Sequence, residues 1–131
     1  MLVSEVMLQQ TPVARVLPVW REWMACWPDP SALAAVPVAQ AIRAWGRLGY
    51  PRRALRLHGA ACAIVERHGG SVPSDPEELR ALPGIGTYTA AAVASFAFGR
   101  RQAVVDVNVR RVLARAVTGA AEPAAALSAA E

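Results

Sequence analysis

The chain has 131 residues, 54% of them hydrophobic, with a formal net charge of +4 and a sequence pI near 10. That length holds one domain with a real core and is too short to expect two, and the apolar content excludes disorder over most of it. All 14 basic residues are arginine, so phosphate contacts are well supplied while chemistry through a lysine Schiff base is excluded.

Residues 1–10 read as a helix with Leu2, Val6 and Met7 on its apolar side. The opening carries no basic stretch of a signal peptide. Three and four positions from Glu5 lie Met1, Leu2, Leu8 and Gln9, a mostly apolar setting that favours a neutral carboxyl. From these residues alone an exposed glutamate is the stronger reading. Thr11-Pro12 opens a second helix to Ala25, with Val13, Val16, Leu17, Trp20 and Met24 as core. Ser31 caps a short turn to Val36, and a further helix from Val38 to Arg47 buries Ile42 and Trp45, with Leu48 following. A long helix from Pro51 or Arg52 to His68 turns Leu55, Leu57, Ala61 and Ile64 or Val65 inward and ends at Gly69-Gly70. Arg52, Arg53 and Arg56 at its start read as a solvated charge run. Cys26 and Cys62 read as reduced, buried thiols. Neither they nor His58 and His68 have metal-ligand spacing, and no segment reaches the ~18 apolar residues of a membrane span.

Pro76 to Ala81 is a short helix with an acidic first turn, stopped at Pro83, and Thr87 to Phe98 is an alanine-rich, largely buried helix. Between them, Gly84 and Gly86 permit positive φ and bring backbone N–H groups to a helix N-terminus, where an anion is favoured. A bare Pro-Gly-x-Gly is more often an ordinary tight turn. Asp106 stands as the N-cap of a helix from Val107 to Val117, with Val109, Val112 and Leu113 inward. Residues 119–131 form an alanine-rich, partly ordered tail. No strand pattern is strong enough for a sheet. The expected fold is all-α, a compact orthogonal bundle of about six to eight helices spanning residues 1–118.

Leu82-Pro83-Gly84-Ile85-Gly86 followed by Asp106 resembles the helix-hairpin-helix plus aspartate signature of DNA glycosylases. The more specific likeness is Val3-Ser4-Glu5-Val6-Met7-Leu8-Gln9-Gln10-Thr11, which closely resembles the catalytic-glutamate segment of MutY-type adenine DNA glycosylases. The resemblance implies hydrolysis of the N-glycosidic bond of adenine opposite 8-oxoguanine or guanine in double-stranded DNA. Glu5 would be the acid and Asp106 the ionised carboxylate beside the cationic sugar, with Asn108 positioning sugar or water. Tyr88 falls where lysine-dependent members carry their Schiff-base lysine, which implies a monofunctional enzyme. Gly84, Ile85, Gly86 and Thr87 would hold DNA backbone. Trp45-Gly46-Arg47-Leu48-Gly49-Tyr50 resembles the family's glycine-tyrosine loop, making Tyr50 a wedge in the DNA with Gln10 as its companion; Pro51 departs from the second aromatic common there. Full-length members hold a [4Fe-4S] cluster in a four-cysteine loop. Cys26 and Cys62 do not match those ligands, so no metal or cofactor is expected in this chain. The expected protein is a monomer without a membrane anchor, in the cytoplasm and on the nucleoid through its DNA. A catalytically silent helix-hairpin-helix DNA-binding module is the alternative, and an endonuclease III-like pyrimidine glycosylase, which Tyr88 and the Glu5 segment disfavour, is a weaker one.

Overall fold

The computed structural model describes residues 1–104 and 107–118. Asp106 and the 119–131 tail lie outside the described residues. Among the described residues eight α-helices follow in order: α1 (Leu2–Met7), α2 (Val13–Cys26), α3 (Pro30–Ala34), α4 (Val38–Trp45), α5 (Arg52–His68), α6 (Pro76–Arg80), α7 (Thr87–Phe98) and α8 (Val107–Leu113), the last running into a π turn, Ala114–Thr118. The described residues contain no strand, as the periodicity predicts.

The bundle is built around α5, against which α1, α3 and α4 pack. Its buried stripe is Arg53, Ala54, Leu57, Ala60, Ala61, Ala63 and Ile64. Of the alternatives Ile64 and Val65 it is Ile64 that turns inward, and the expected Leu55 is exposed instead, because the stripe that passes through Leu57, Ala61 and Ile64 runs back one turn to Arg53. Arg53 therefore enters the core rather than the solvated face read from its charge. Gly69 closes α5 in the left-handed conformation at φ 61°, as the Gly-Gly pair predicts.

Helix α2 is rotated from its expected phase. Val16 and Trp23 are buried, with Val19, Trp20 and Trp27 packed beside them, while Val13 and Leu17 face out. The tryptophans set this phase: Trp23 meets Trp27 and Trp45 edge to face, with ring centroids 5.0 and 5.8 Å away. That rotation also leaves Cys26 exposed, and Cys62 is half-buried rather than buried. Helix α4 likewise buries Ala41 and Trp45 and exposes Ile42.

Helix α3 is capped by Asp29, not Ser31: its side chain accepts from the Ala32 N–H at 2.8 Å, and Pro30 takes the first helical position. Helix α1 stops at Met7, short of Gln10. Helix α7 buries Thr89 to Ala94, and its small alanines let α1 and α6 pack closely on it. On α8 the expected inward residues Val109 and Val112 are exposed.

Candidate functional site

Three surface segments carry the residues singled out by the sequence, and two of them are joined by one side chain. After α1, the chain turns through Leu8 to Thr11, with Gln10 at φ 58°. After α4, a loop runs from Gly46 to Tyr50, with Tyr50 at φ 48°. Non-glycine residues avoid this region because Cβ crowds the backbone, and where they occupy it the surroundings must hold them there.

Arg53 does that holding. Its Nη1 donates to the carbonyls of Val6 at 3.1 Å and Met7 at 3.0 Å at the C-terminal end of α1, and to that of Gln9 in the turn after it. Its Nη2 donates to Thr11 Oγ1 at 2.9 Å and to the carbonyls of Leu48 at 3.4 Å and Gly49 at 3.2 Å. Thr11, expected to cap α2, is instead buried in this network, with Oγ1 also donating to Leu48 O at 3.4 Å. The guanidinium stacks 5.0 Å from the Trp45 ring centroid and 5.9 Å from that of Tyr50. Trp45 Nε1 donates to Gly49 O at 2.8 Å, fixing the loop from its other side. Among the described residues no carboxylate pairs with Arg53; carbonyl dipoles at a helix C-terminus and two aromatic faces receive its charge. Burial pulls its pKa below the ordinary value, with Tyr50 acting in the opposite sense.

The third segment is the turn between α6 and α7. Asp75 caps α6 through the Glu77 N–H, and Leu79, Leu82 and Ile85 are buried beneath the turn. Gly84 sits at φ 75°, and a Cβ there would lie 2.7 Å from Arg56 Cβ, so glycine is required both by conformation and by the approach of α5. Gly86 does not share this need: it is extended, at φ −87° and ψ −179°, as the N-cap of α7. Ile85 points inward, 6% exposed, and its N–H donates to Leu82 O at 3.2 Å, so of the turn's predicted DNA contacts its side chain is the anchor beneath the surface. Gly84, Gly86 and Thr87 are exposed above it.

Glu5 is half-buried on α1, which packs against α7. Gln9 Nε2 donates to Thr89 Oγ1 at 3.1 Å, tying the end of α1 to the residue after Tyr88, which is 40% exposed. Glu5, Gln10 and Tyr88 are thereby carried on adjoining elements, and Arg53 brings Tyr50 to the same side as Gln10. Asn108 is exposed on α8, and Asp106 is outside the described residues. Arg53, Thr11 and the Gln9–Thr89 bond are what sequence reasoning missed; the signal for Arg53 was its place on the inward stripe.

A [4Fe-4S] cluster requires four thiolates, and the chain has two cysteines. They lie on α2 and α5, and no group of three or more His, Cys, Asp or Glu among the described residues could hold a metal. His58 is engaged with the Val36 carbonyl at 2.7 Å and Cys62 Sγ at 3.8 Å. The residues of this chain do not fit the cluster.

The family model described as HhH-GPD superfamily base excision DNA repair protein matches residues 3–127. The chain belongs to the HhH-GPD superfamily. Within it, the adenine DNA glycosylase of Mycobacterium tuberculosis is 59% identical over 124 residues, 95% of this chain and 41% of that protein. The human adenine DNA glycosylase is 46% identical over 126 residues, 95% of this chain and 23% of that protein. The chain thus spans about two fifths or less of these curated relatives. Among solved HhH-GPD structures, a non-covalent endonuclease III–DNA complex superposes with a TM-score of 0.79 at 31% identity, covering 87% of this chain and 54% of the other. A thermostable thymine-DNA glycosylase gives 0.79 at 29% identity, covering 86% and 52%. No helix among the described residues is long and apolar enough to cross a membrane.

Proposed function

We propose that this chain is the helical catalytic portion of a monofunctional adenine DNA glycosylase acting on adenine opposite 8-oxoguanine or guanine. The observation that carries the reading is Glu5, inside a segment like that of the adenine glycosylases and half-buried on a helix packed against α7. The higher identity to adenine glycosylases than to the endonuclease III structure supports adenine over a pyrimidine.

Purine release needs a proton on the departing base and negative charge beside the sugar as it becomes an oxocarbenium ion. Glu5 supplies the proton and then directs water; Asp106 supplies the charge, and Asn108, two residues on in the sequence, positions the sugar or the water. Gln10 and Tyr50 enter the duplex at the mismatch while the adenine leaves the stack, at a cost of a few kcal/mol that is lowest for a mispair. Backbone N–H groups at Gly84, Gly86 and Thr87 hold the phosphate beyond, since the first turn of a helix leaves such donors without intrahelical partners. The protein works as a monomer on nucleoid DNA in the cytoplasm.

Single-turnover incubation with a duplex containing adenine opposite 8-oxoguanine tests this. Strand cleavage should appear only after alkali, and borohydride should trap no adduct, because Tyr88 cannot form an imine. Cleavage without alkali, or an adduct through a side chain, would refute the monofunctional mechanism; abasic sites absent at every mismatch would leave the silent DNA-binding module.

A further inference from the structure

We infer that Arg53 is a positioning residue that sets Gln10 and Tyr50 in one orientation, so that the two segments meet DNA as a single rigid wedge. The inference rests on the proposed role of Gln10 and Tyr50, and adds to it the group through which they act together.

The geometry separates Arg53 from an ordinary core residue. Its six acceptors are divided between two segments: the end of α1 and the loop after it, through Val6, Met7, Gln9 and Thr11, and the loop after α4, through Leu48 and Gly49. Each loop contains one non-glycine residue at positive φ, and those residues are Gln10 and Tyr50. Each lies directly beside an acceptor of Arg53, Gln9 and Thr11 flanking Gln10 and Gly49 preceding Tyr50. The planar guanidinium directs its donors at fixed angles, so the two loops cannot move independently while it bridges them. Its Nε is buried without a hydrogen-bond partner, so an uncompensated polar atom is tolerated at the centre of the bridge. A hydrophobic residue would fill this space without that penalty. It would also remove the donor shared by these six acceptors and leave the weaker Thr11 Oγ1 bond to Leu48 O to join the two segments.

Two variants test the bridge in the full chain. Arg53→Met removes donor and charge; Arg53→Lys keeps the charge and serves as the test should the methionine variant fail to fold, yet one ammonium cannot reach both loops in the same geometry. Amide hydrogen exchange should rise together in residues 8–11 and 46–50, by about tenfold or more, and stay unchanged in residues 82–87. In parallel, 2-aminopurine opposite 8-oxoguanine in a duplex reports unstacking by its brightening. The Arg53 variants should lose that brightening as fully as Tyr50→Ala does, and Arg53→Lys with Tyr50→Ala should lose no more than either alone. Exchange that rises in one segment only, or in neither, overturns the inference, as does brightening retained by Arg53→Lys or a further loss in the double variant. If Tyr50→Ala and Gln10→Ala leave brightening intact, the wedge reading itself fails and the positioning role falls with it. The single variants of Tyr50 and Gln10 therefore tell that failure apart from a failure of Arg53.

Discussion

The turn between α6 and α7 and the paired loops at Gln10 and Tyr50 both present backbone at the surface, and they are held by opposite means. The turn rests on apolar anchors, Leu79, Leu82 and Ile85, and meets its one left-handed position with glycine. The paired loops use glutamine and tyrosine at positive φ and rest on a buried cation. Hydrophobic anchoring is non-directional and tolerates small shifts. A guanidinium shared between loops is directional, so it fixes orientation at the expense of desolvating a charge. A surface that needs only backbone amides near a phosphate can use the first design; one that must aim two side chains at one point needs the second.

The largest expected effect tests the apolar half of this contrast. Ile85→Ala should cost about 2–5 kcal/mol in urea unfolding, the usual range for a buried isoleucine, and should loosen residues 82–87 without changing exchange in residues 46–50. A loss below about 1 kcal/mol would mean the turn does not depend on its anchor. Gly84→Ala comes next. The left-handed conformation costs an alanine about 1–2 kcal/mol, and the new Cβ also meets Arg56. Pairing it with Arg56→Ala should recover little, because the 2.7 Å contact is with Arg56 Cβ, which alanine keeps. Full recovery would show that the flexible end of Arg56, and not the helix backbone, limits the turn.

The same contrast explains what was legible in the sequence. The turn was read for the most part, since proline and glycine are local signals: Pro76, Gly84 and the bounds of α7 needed no knowledge of the rest of the fold, whereas the Asp75 cap and the extended backbone of Gly86 were not read. The all-α class and α5 followed from periodicity. The Arg53 bridge was not read, because a charge at a helix start looks solvated until the inward phase of α5 is known. Gln10 and Tyr50 gave no local sign of positive φ either. Only the family resemblance pointed to them, and the strain appears in the structure alone. The phase of α2 was misread for a related reason: taking Val13 and Leu17 as core left out Trp23, whose packing against Trp27 and Trp45 sets the buried face.

Gln10→Gly probes the strained loop with a smaller effect of opposite sign. Releasing glutamine from φ 58° gains about 1–2 kcal/mol, and the added freedom of glycine in the unfolded chain costs about 0.5–1. The variant should melt at the parental temperature or slightly above it, while duplex unstacking falls. A clear loss of stability would make Gln10 a structural residue and remove it from the wedge.

The smallest expected effect on the fold is at Gly86, and it separates folding from recognition in the apolar half. Gly86 has open space where a Cβ would be, and its φ of −87° suits alanine. As an N-cap, alanine is the poorer residue by about 0.5–1 kcal/mol, while its restricted unfolded chain returns about 0.4–1. The two terms nearly cancel, so Gly86→Ala should unfold within about 0.5 kcal/mol of the parent. If the backbone at this turn approaches a phosphate, the added methyl stands between them and displaces a charge-assisted hydrogen bond. Losing one such bond should weaken duplex binding about tenfold at low salt and flatten its salt dependence. Serine restores a good cap without restoring the close approach, so Gly86→Ser should be at least as stable as the parent and bind as poorly as the alanine variant. Parental affinity in both variants, with stability unchanged, would place the phosphate contact elsewhere and leave the turn as a packing element of the bundle.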